Sequence, residues 1–187
     1  WIRLMAPFTP HLAEEMWENI NGDGFVSTAP FPKTGDIDEV ALQGEQLVRD
    51  TLADIEEILQ VTGIEASDVY IYTAPEWKWQ VAELASLLAS EDNLSMGTLM
   101  GQVMQDINIK RHGDAVTSFA KKIIKATQRG TTYTHIDENA FIENARDFLE
   151  QELGTTVHVY EADDNAAPDP GRKKRYAVPC RPAIYAE

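Results

Sequence analysis

Apolar positions recur along this chain at helical spacing in most segments and at strand spacing in a few. In "TPHLAEEMWENI" Leu12, Met16 and Ile20 lie four apart. The stretch predicts an amphipathic helix with Thr9 as N-cap and Pro10 at the first helical position. "NGDGF" reads as a turn, and 26–34, with two prolines, as an irregular connection. A second helix is predicted from Asp38 to Val61 on Leu47, Val48, Leu52, Ile55, Ile58 and Leu59, with Gly63 as its stop. After Gly63 the pattern changes. "DVYIYTAP", closed by Pro75, predicts a buried strand. Further helices are predicted from Glu76 to about Ser90, from Ser95 through Met96, Leu99, Met100, Val103 and Met104 to Ile107, from a cap at Asp114 to Gln128, and from a cap at Asp137 to Leu153. "TTVHVY" and "RPAIYAE" predict strands, with "RKKRYAVP" a candidate third. The expected class is α+β: a fragment of a helical bundle over 1–62, then a small mixed α/β domain over 63–187 with about three strands and four helices.

Composition supports a folded chain. With 187 residues, 43% hydrophobic and 25% charged, it is long enough to bury a core without a disulfide or metal. The net charge of -15 is the unusual feature. It is spread along the chain, as a solubility adaptation of proteins working in concentrated salt would be, and it repels nucleic acid and anionic membrane alike. Cys180, the single cysteine, fits a reducing compartment and a packing role. No apolar run reaches the roughly 18 residues needed to cross a bilayer, so a soluble, cytoplasmic protein with no membrane partner is expected. The start at Trp1, without methionine, suggests a piece of a longer chain.

The positive charge is not spread. Eleven of the sixteen Lys and Arg fall in two blocks. Lys110, Arg111, Lys121, Lys122, Lys125 and Arg129 form the first, and Arg172, Lys173, Lys174, Arg175 and Arg181 the second. On a helix starting at Asp114, Lys121, Lys122, Lys125 and Arg129 fall within an arc of about 100°, opposite Val116, Phe119, Ala120, Ile123 and Ile124. One side can enter a core while the other presents a ridge of cations. Either the two blocks solvate exposed faces or pair with nearby carboxylates, or they bind a polyanion.

Catalytic signatures are missing. His11, His112, His135 and His158 stand apart with no zinc-ligand spacing. There is no phosphate-cradling glycine loop and no nucleophile elbow. Glu14–Glu15 and Glu56–Glu57 are adjacent on helices and suit a solvated face better than acid/base work. Gly97 and Gly101 read as a close contact or a dimer seam.

Two stretches carry a family resemblance. "RLMAPFTPHLAEEMWE" resembles the anticodon-binding helical bundle of class I aminoacyl-tRNA synthetases of the leucine, isoleucine and valine group. "DVYIYTAPEWKW" is similar to the opening of the C-terminal domain in leucyl-tRNA synthetases of archaeal and eukaryotic-cytosolic type, and "RPAIYAE" resembles their ending. The resemblance implies a non-catalytic, tRNA-docking portion of an enzyme that joins leucine to tRNA(Leu) with ATP and Mg in upstream catalytic and editing domains. The signatures of those domains are absent from this chain, and no cofactor is expected in it. It implies, too, that the bundle leans on the tRNA body while the C-terminal domain reaches the long variable arm. Ile64 and Glu65 would then lie at bases of the arm's tip, and Lys110, Arg111, Lys121, Lys122, Lys125, Arg129, Arg172, Lys173, Lys174 and Arg175 would face phosphates. Trp77 and Trp79 could stack on a base, but at least one of the two reads as core; Met96, Met100 and Met104 read as core and His11 as structural. The rivals are the same region of an isoleucyl- or valyl-tRNA synthetase, and an acidic protein-interaction module that binds no RNA. Together with the acidity, the resemblance suggests a halophilic archaeon.

Overall fold

A computed structural model describes residues 1–187, divided into two units, Trp1–Asp38 and Glu39–Glu187. In the first unit, helices α1 (Ile2–Met5) and α2 (Pro10–Asn19) are followed by a single 3-10 turn at Val26–Thr28. Pro10 holds the first helical position as predicted, but the Thr9 side chain does not cap: its hydroxyl donates to the Met5 carbonyl, 3.3 Å away. Glu14 is more than a solvated acid. Its carboxylate accepts the backbone N–H groups of Val26 (2.9 Å) and Ser27 (3.1 Å) and the Ser27 hydroxyl (2.8 Å), which ties the turn to α2. Leu12, Met16 and Ile20, the predicted apolar stripe, are exposed, as is His11.

The second unit begins with α3 (Glu39–Thr62), stopped by Gly63 at φ +67°. Its buried positions Gly44, Leu47, Thr51 and Ile55 fall on one face at helical spacing. Three strands follow: β1 (Asp68–Thr73), β2 (Thr156–Glu161) and β3 (Ala183–Ala186), in the order β2-β1-β3. β1 runs parallel to β2 and antiparallel to β3, with Val69 opposite Val157 and Ala186, and Tyr70 opposite His158 and Tyr185. Alternation then sorts the faces. Val69, Ile71, Val157 and Ile184 share a core with Leu47 and Ile55 of α3, Trp79, Ile142 and Leu149. Tyr70, Tyr72, Tyr160 and Tyr185 occupy the other face.

α4 (Glu76–Ser90) sends Trp79 into the sheet core. Its Trp77, Val81, Ala82, Ala85 and Leu88 enter a second, helical core with α5 (Met96–Val103), α6 (Ile107–Lys110) and α7 (Asp114–Thr127). Both tryptophans are therefore packing residues. Met96, Met100 and Met104 pack against the helical core as expected. α8 (Glu138–Asn144) and α9 (Arg146–Leu153) complete the unit.

The chain is α+β, and its differences from expectation are local. The predicted helix from Ser95 to Ile107 breaks after Val103, because the Asp106 carboxylate accepts the Asn108 N–H (2.7 Å) and starts α6. Asp114 is not a cap: Gly113, at φ +51°, precedes α7, and Asp114 is its first residue. Asp137 does cap, accepting the Ala140 N–H at 2.9 Å, but the helix behind it divides at Ala145, which nothing in the local residue types announces. Six helices thus follow Gly63 instead of about four. "RKKRYAVP" forms no strand: it holds a 3-10 turn at Lys174–Tyr176 and a lone bridge from Val178 to Arg181. The Lys78 ammonium takes the carbonyls of Arg175 (3.0 Å) and Ala177 (2.5 Å), acceptors a strand would need for its ladder. A Cβ on Gly101 would meet nothing within 4 Å, and one on Gly97 only the Ser95 hydroxyl at 3.9 Å, so their spacing marks no close packing within the chain. The boundary between the two compact units falls at Asp38 and Glu39, and α3 lays its apolar face on the sheet core.

Candidate nucleic-acid interface

α7 positions the first basic block. Val116, Phe119, Ala120, Ile123 and Thr127 are buried, and this anchors the helix so that Lys121, Lys122 and Lys125 lie exposed on its other side. Arg129, also exposed, sits just past the C-cap Gln128 and before Gly130 at φ +95°. None of these four cations makes a salt bridge: the Lys and Arg pairs in the chain are Arg146–Glu143 and Arg181–Asp54. Lys125, in the last turn, and Arg129, just beyond it, also lie at the helix end where the backbone dipole favours cations. Lys110 and Arg111, at the end of α6, are exposed; the Arg111 guanidinium donates to the carbonyl (3.3 Å) and side-chain oxygen (2.5 Å) of Asn108.

The second block is divided in role. Lys174 closes the loop before it, donating to the carbonyls of Asp164 (2.6 Å) and Ala167 (2.7 Å), so it is structural as well as cationic. Arg175 lies over the Tyr176 ring, 4.7 Å from its centre, and donates to its hydroxyl at 2.7 Å. Arg172, at φ +51°, and Lys173 are exposed on the turn.

A cleft of about 440 Å³ joins the two blocks. It opens beyond the C-terminal ends of the parallel strands β1 and β2, the usual place for ligands in such sheets. Lys122 of α7 lines it together with Lys174 and Arg175. At its base Trp77 stacks on His112 (4.8 Å between ring centres, 20° between planes) and meets Phe119 edge-on at 5.5 Å. Lys78, buried beside them, lies 5.4 Å from the Trp77 ring centre. Burial pulls its ammonium down to about 8, against the attraction of Asp163 and with the help of Lys122.

Ile64 and Glu65 are exposed in the loop before β1. The structure does not bring them together with the basic blocks: the cleft lies at the other end of a six-residue strand, about 20 Å along. Sequence reading missed Lys78, His112 and Tyr176. A faint signal existed for Lys78, the lone cation between Val61 and Ile109, set between two tryptophans. Nothing marked His112, whose ring partner Trp77 comes from a distant segment, or Tyr176, whose exposure is set by the turn that holds it. No group of three His, Cys, Asp or Glu side chains is placed to hold a metal ion, and no helix is long and apolar enough to cross a membrane.

Residues 1–74 match the anticodon-binding domain of tRNA ligase. The whole chain aligns with leucine–tRNA ligases: 41% identical to that of Methanosarcina acetivorans over 196 residues, and 40% to that of Pyrococcus abyssi over 191. These alignments cover 100% of this chain but 20% and 18% of those proteins. The chain spans about a fifth of the length of the curated relatives it matches. Its similarity is thus to a segment of leucine–tRNA ligases, with the anticodon-binding domain of tRNA ligase matched at its start.

Proposed function

We propose that this chain is the tRNA-docking segment of a leucine–tRNA ligase, holding tRNA(Leu) for ATP- and Mg-dependent leucylation by domains elsewhere in the same polypeptide. The observation that carries the docking role is the α7 ridge: four exposed cations free of salt bridges in a chain of net charge -15. An acidic surface repels RNA except where cations gather, so the ridge fixes where a phosphate backbone is tolerated. The whole-length similarity to leucine–tRNA ligases supports leucine over isoleucine or valine as the amino acid. In this reading residues 1–62 lean on the tRNA body and 63–187 reach the long variable arm, with Ile64 and Glu65 at its tip and the basic blocks on phosphates. The acidity supports work in a salty cytoplasm, as in a halophilic archaeon.

The test is a gel shift with leucine tRNA, intact and lacking its variable arm. Arm-dependent binding is expected. Equal binding of both RNAs contradicts the arm contact, and no binding at any salt concentration favours an acidic protein-interaction module.

A further inference from the structure

Two aromatic surfaces stand out beyond the cation ridge, and charge separates them. The open face of the sheet carries Tyr70, Tyr160 and Tyr185, but its polar partners are acids: Tyr70 donates to Glu187 (3.2 Å), and His158 pairs with Asp68 at 2.8 Å. A phosphate chain is repelled there. The cleft at the ends of β1 and β2 has the opposite balance. Lys78, Lys122, Lys174 and Arg175 face only Asp163 and Asp169 among its walls.

The cleft is also held in shape from within. Lys78 fixes the carbonyls of Arg175 and Ala177, and Lys174 fixes those of Asp164 and Ala167. Two buried or half-buried lysines therefore set the backbone that presents Arg175 and Tyr176. Tyr176 is 54% exposed, and His112, with its side chain 28% exposed, is braced from behind by the buried Trp77. Arg175 covers one face of the Tyr176 ring, which leaves the other for a ligand. Rings open to solvent beside cations that make no salt bridge are the elements with which proteins hold single nucleotides: a flat π-face for the base and positive charge for its phosphate. The volume of about 440 Å³ suits a ligand of nucleotide size.

We propose that this cleft takes one unpaired nucleotide of the docked RNA, with the base against the His112 and Tyr176 rings and its phosphate on Lys122 and Arg175. The proposal rests on the docking role above and gives that surface a second mode of contact, stacking as well as charge. Because every base has a π-face, the contact is tolerant of base identity. A free nucleotide shares the chemistry, but it lacks the phosphates that the α7 ridge engages, so it binds far more weakly than RNA.

The test measures the affinity of the 187-residue chain for leucine tRNA by filter binding over a series of salt concentrations, with AMP as a separate probe. Tyr176→Ala and His112→Ala are each expected to weaken tRNA binding about tenfold without changing the salt slope. Tyr176→Phe, which keeps the ring, should bind like the parent chain. Tyr176 is exposed, so its loss does not threaten the fold even if His112→Ala does. If Tyr176→Ala binds tRNA within twofold of the parent while Lys121→Glu with Lys125→Glu binds weakly, the cleft is empty and the docking role stands. If the parent chain binds no tRNA, both fall. AMP binding as tight as that of tRNA would overturn the proposal by assigning the cleft to a free nucleotide.

Discussion

Glu138 stands where three segments meet. Its buried carboxylate accepts the Ala74 N–H at the end of β1 (2.7 Å) and the Cys180 N–H before β3 (2.6 Å), while its own backbone opens α8. Burial raises its pKa to about 7, although both N–H bonds act to lower it. Glu138→Ala would leave two N–H groups without partners and should cost about 2–4 kcal/mol of stability, read by urea denaturation; a loss under about 0.5 kcal/mol would show the bonds to be replaceable. The sign of the pH effect follows from the raised pKa. Between 4.5 and about 7 the folded state binds the proton that the unfolded state has released, so this group's contribution is full below 4.5 and is lost as pH rises through 7. Glu138→Gln should remove that slope. Lys78 works in the other window: lowered from 10.5 to about 8, it is protonated in the unfolded chain and neutral in the folded one between those values. Stability should therefore gain from this group as pH rises from 8 toward 10.5, and Lys78→Met should flatten the gain. Neither role was legible in the sequence, where Glu138 simply follows the predicted cap Asp137 and Lys78 is an isolated cation between two tryptophans. Burial, which decides both, is set by segments far away in the chain.

At the scale of elements, α3 and α7 were legible almost to the residue, because each keeps an unbroken 3.6-residue apolar period and stops at a glycine. The breaks were not. Asp106 starts α6 through a bond to the second residue after it, and "DINIK" has too few residues to show a period of its own. The basic stretch before β3 read as a strand because the carbonyls that Lys78 binds are invisible from sequence. The α3–α8 contact gives a prediction in which two effects oppose. Gly44→Ala should stabilise an exposed helix by up to about 1 kcal/mol. Here, however, the new Cβ would fall 2.2 Å from the Phe141 ring, so the ring must move and a net loss of about 1–3 kcal/mol is expected. A higher denaturation midpoint for Gly44→Ala would mean that Phe141 swings aside freely. On α7, Lys121 and Lys125 make no salt bridge and leave the buried face untouched. Lys121→Glu with Lys125→Glu should leave helical circular dichroism and the melting midpoint nearly unchanged.

For the whole molecule, the net charge of -15 sets the terms on which RNA can approach. Each phosphate contact changes affinity by roughly 0.7 to 0.9 log units per tenfold change in salt, and at 1 M the screening length is about 3 Å. Four or five such contacts lose on the order of a thousandfold or more across that range, so in strong salt charge alone does not hold a tRNA. Shape and base contacts must supply the rest, and the lysines chiefly fix register. The most direct measurement is the salt slope of leucine-tRNA affinity for the chain and for Lys121→Glu with Lys125→Glu. We predict that the double variant binds at least tenfold more weakly at low salt and that its slope falls by about 1.5 to 2. Equal affinity with an unchanged slope would place the α7 ridge away from the RNA and contradict the docking role.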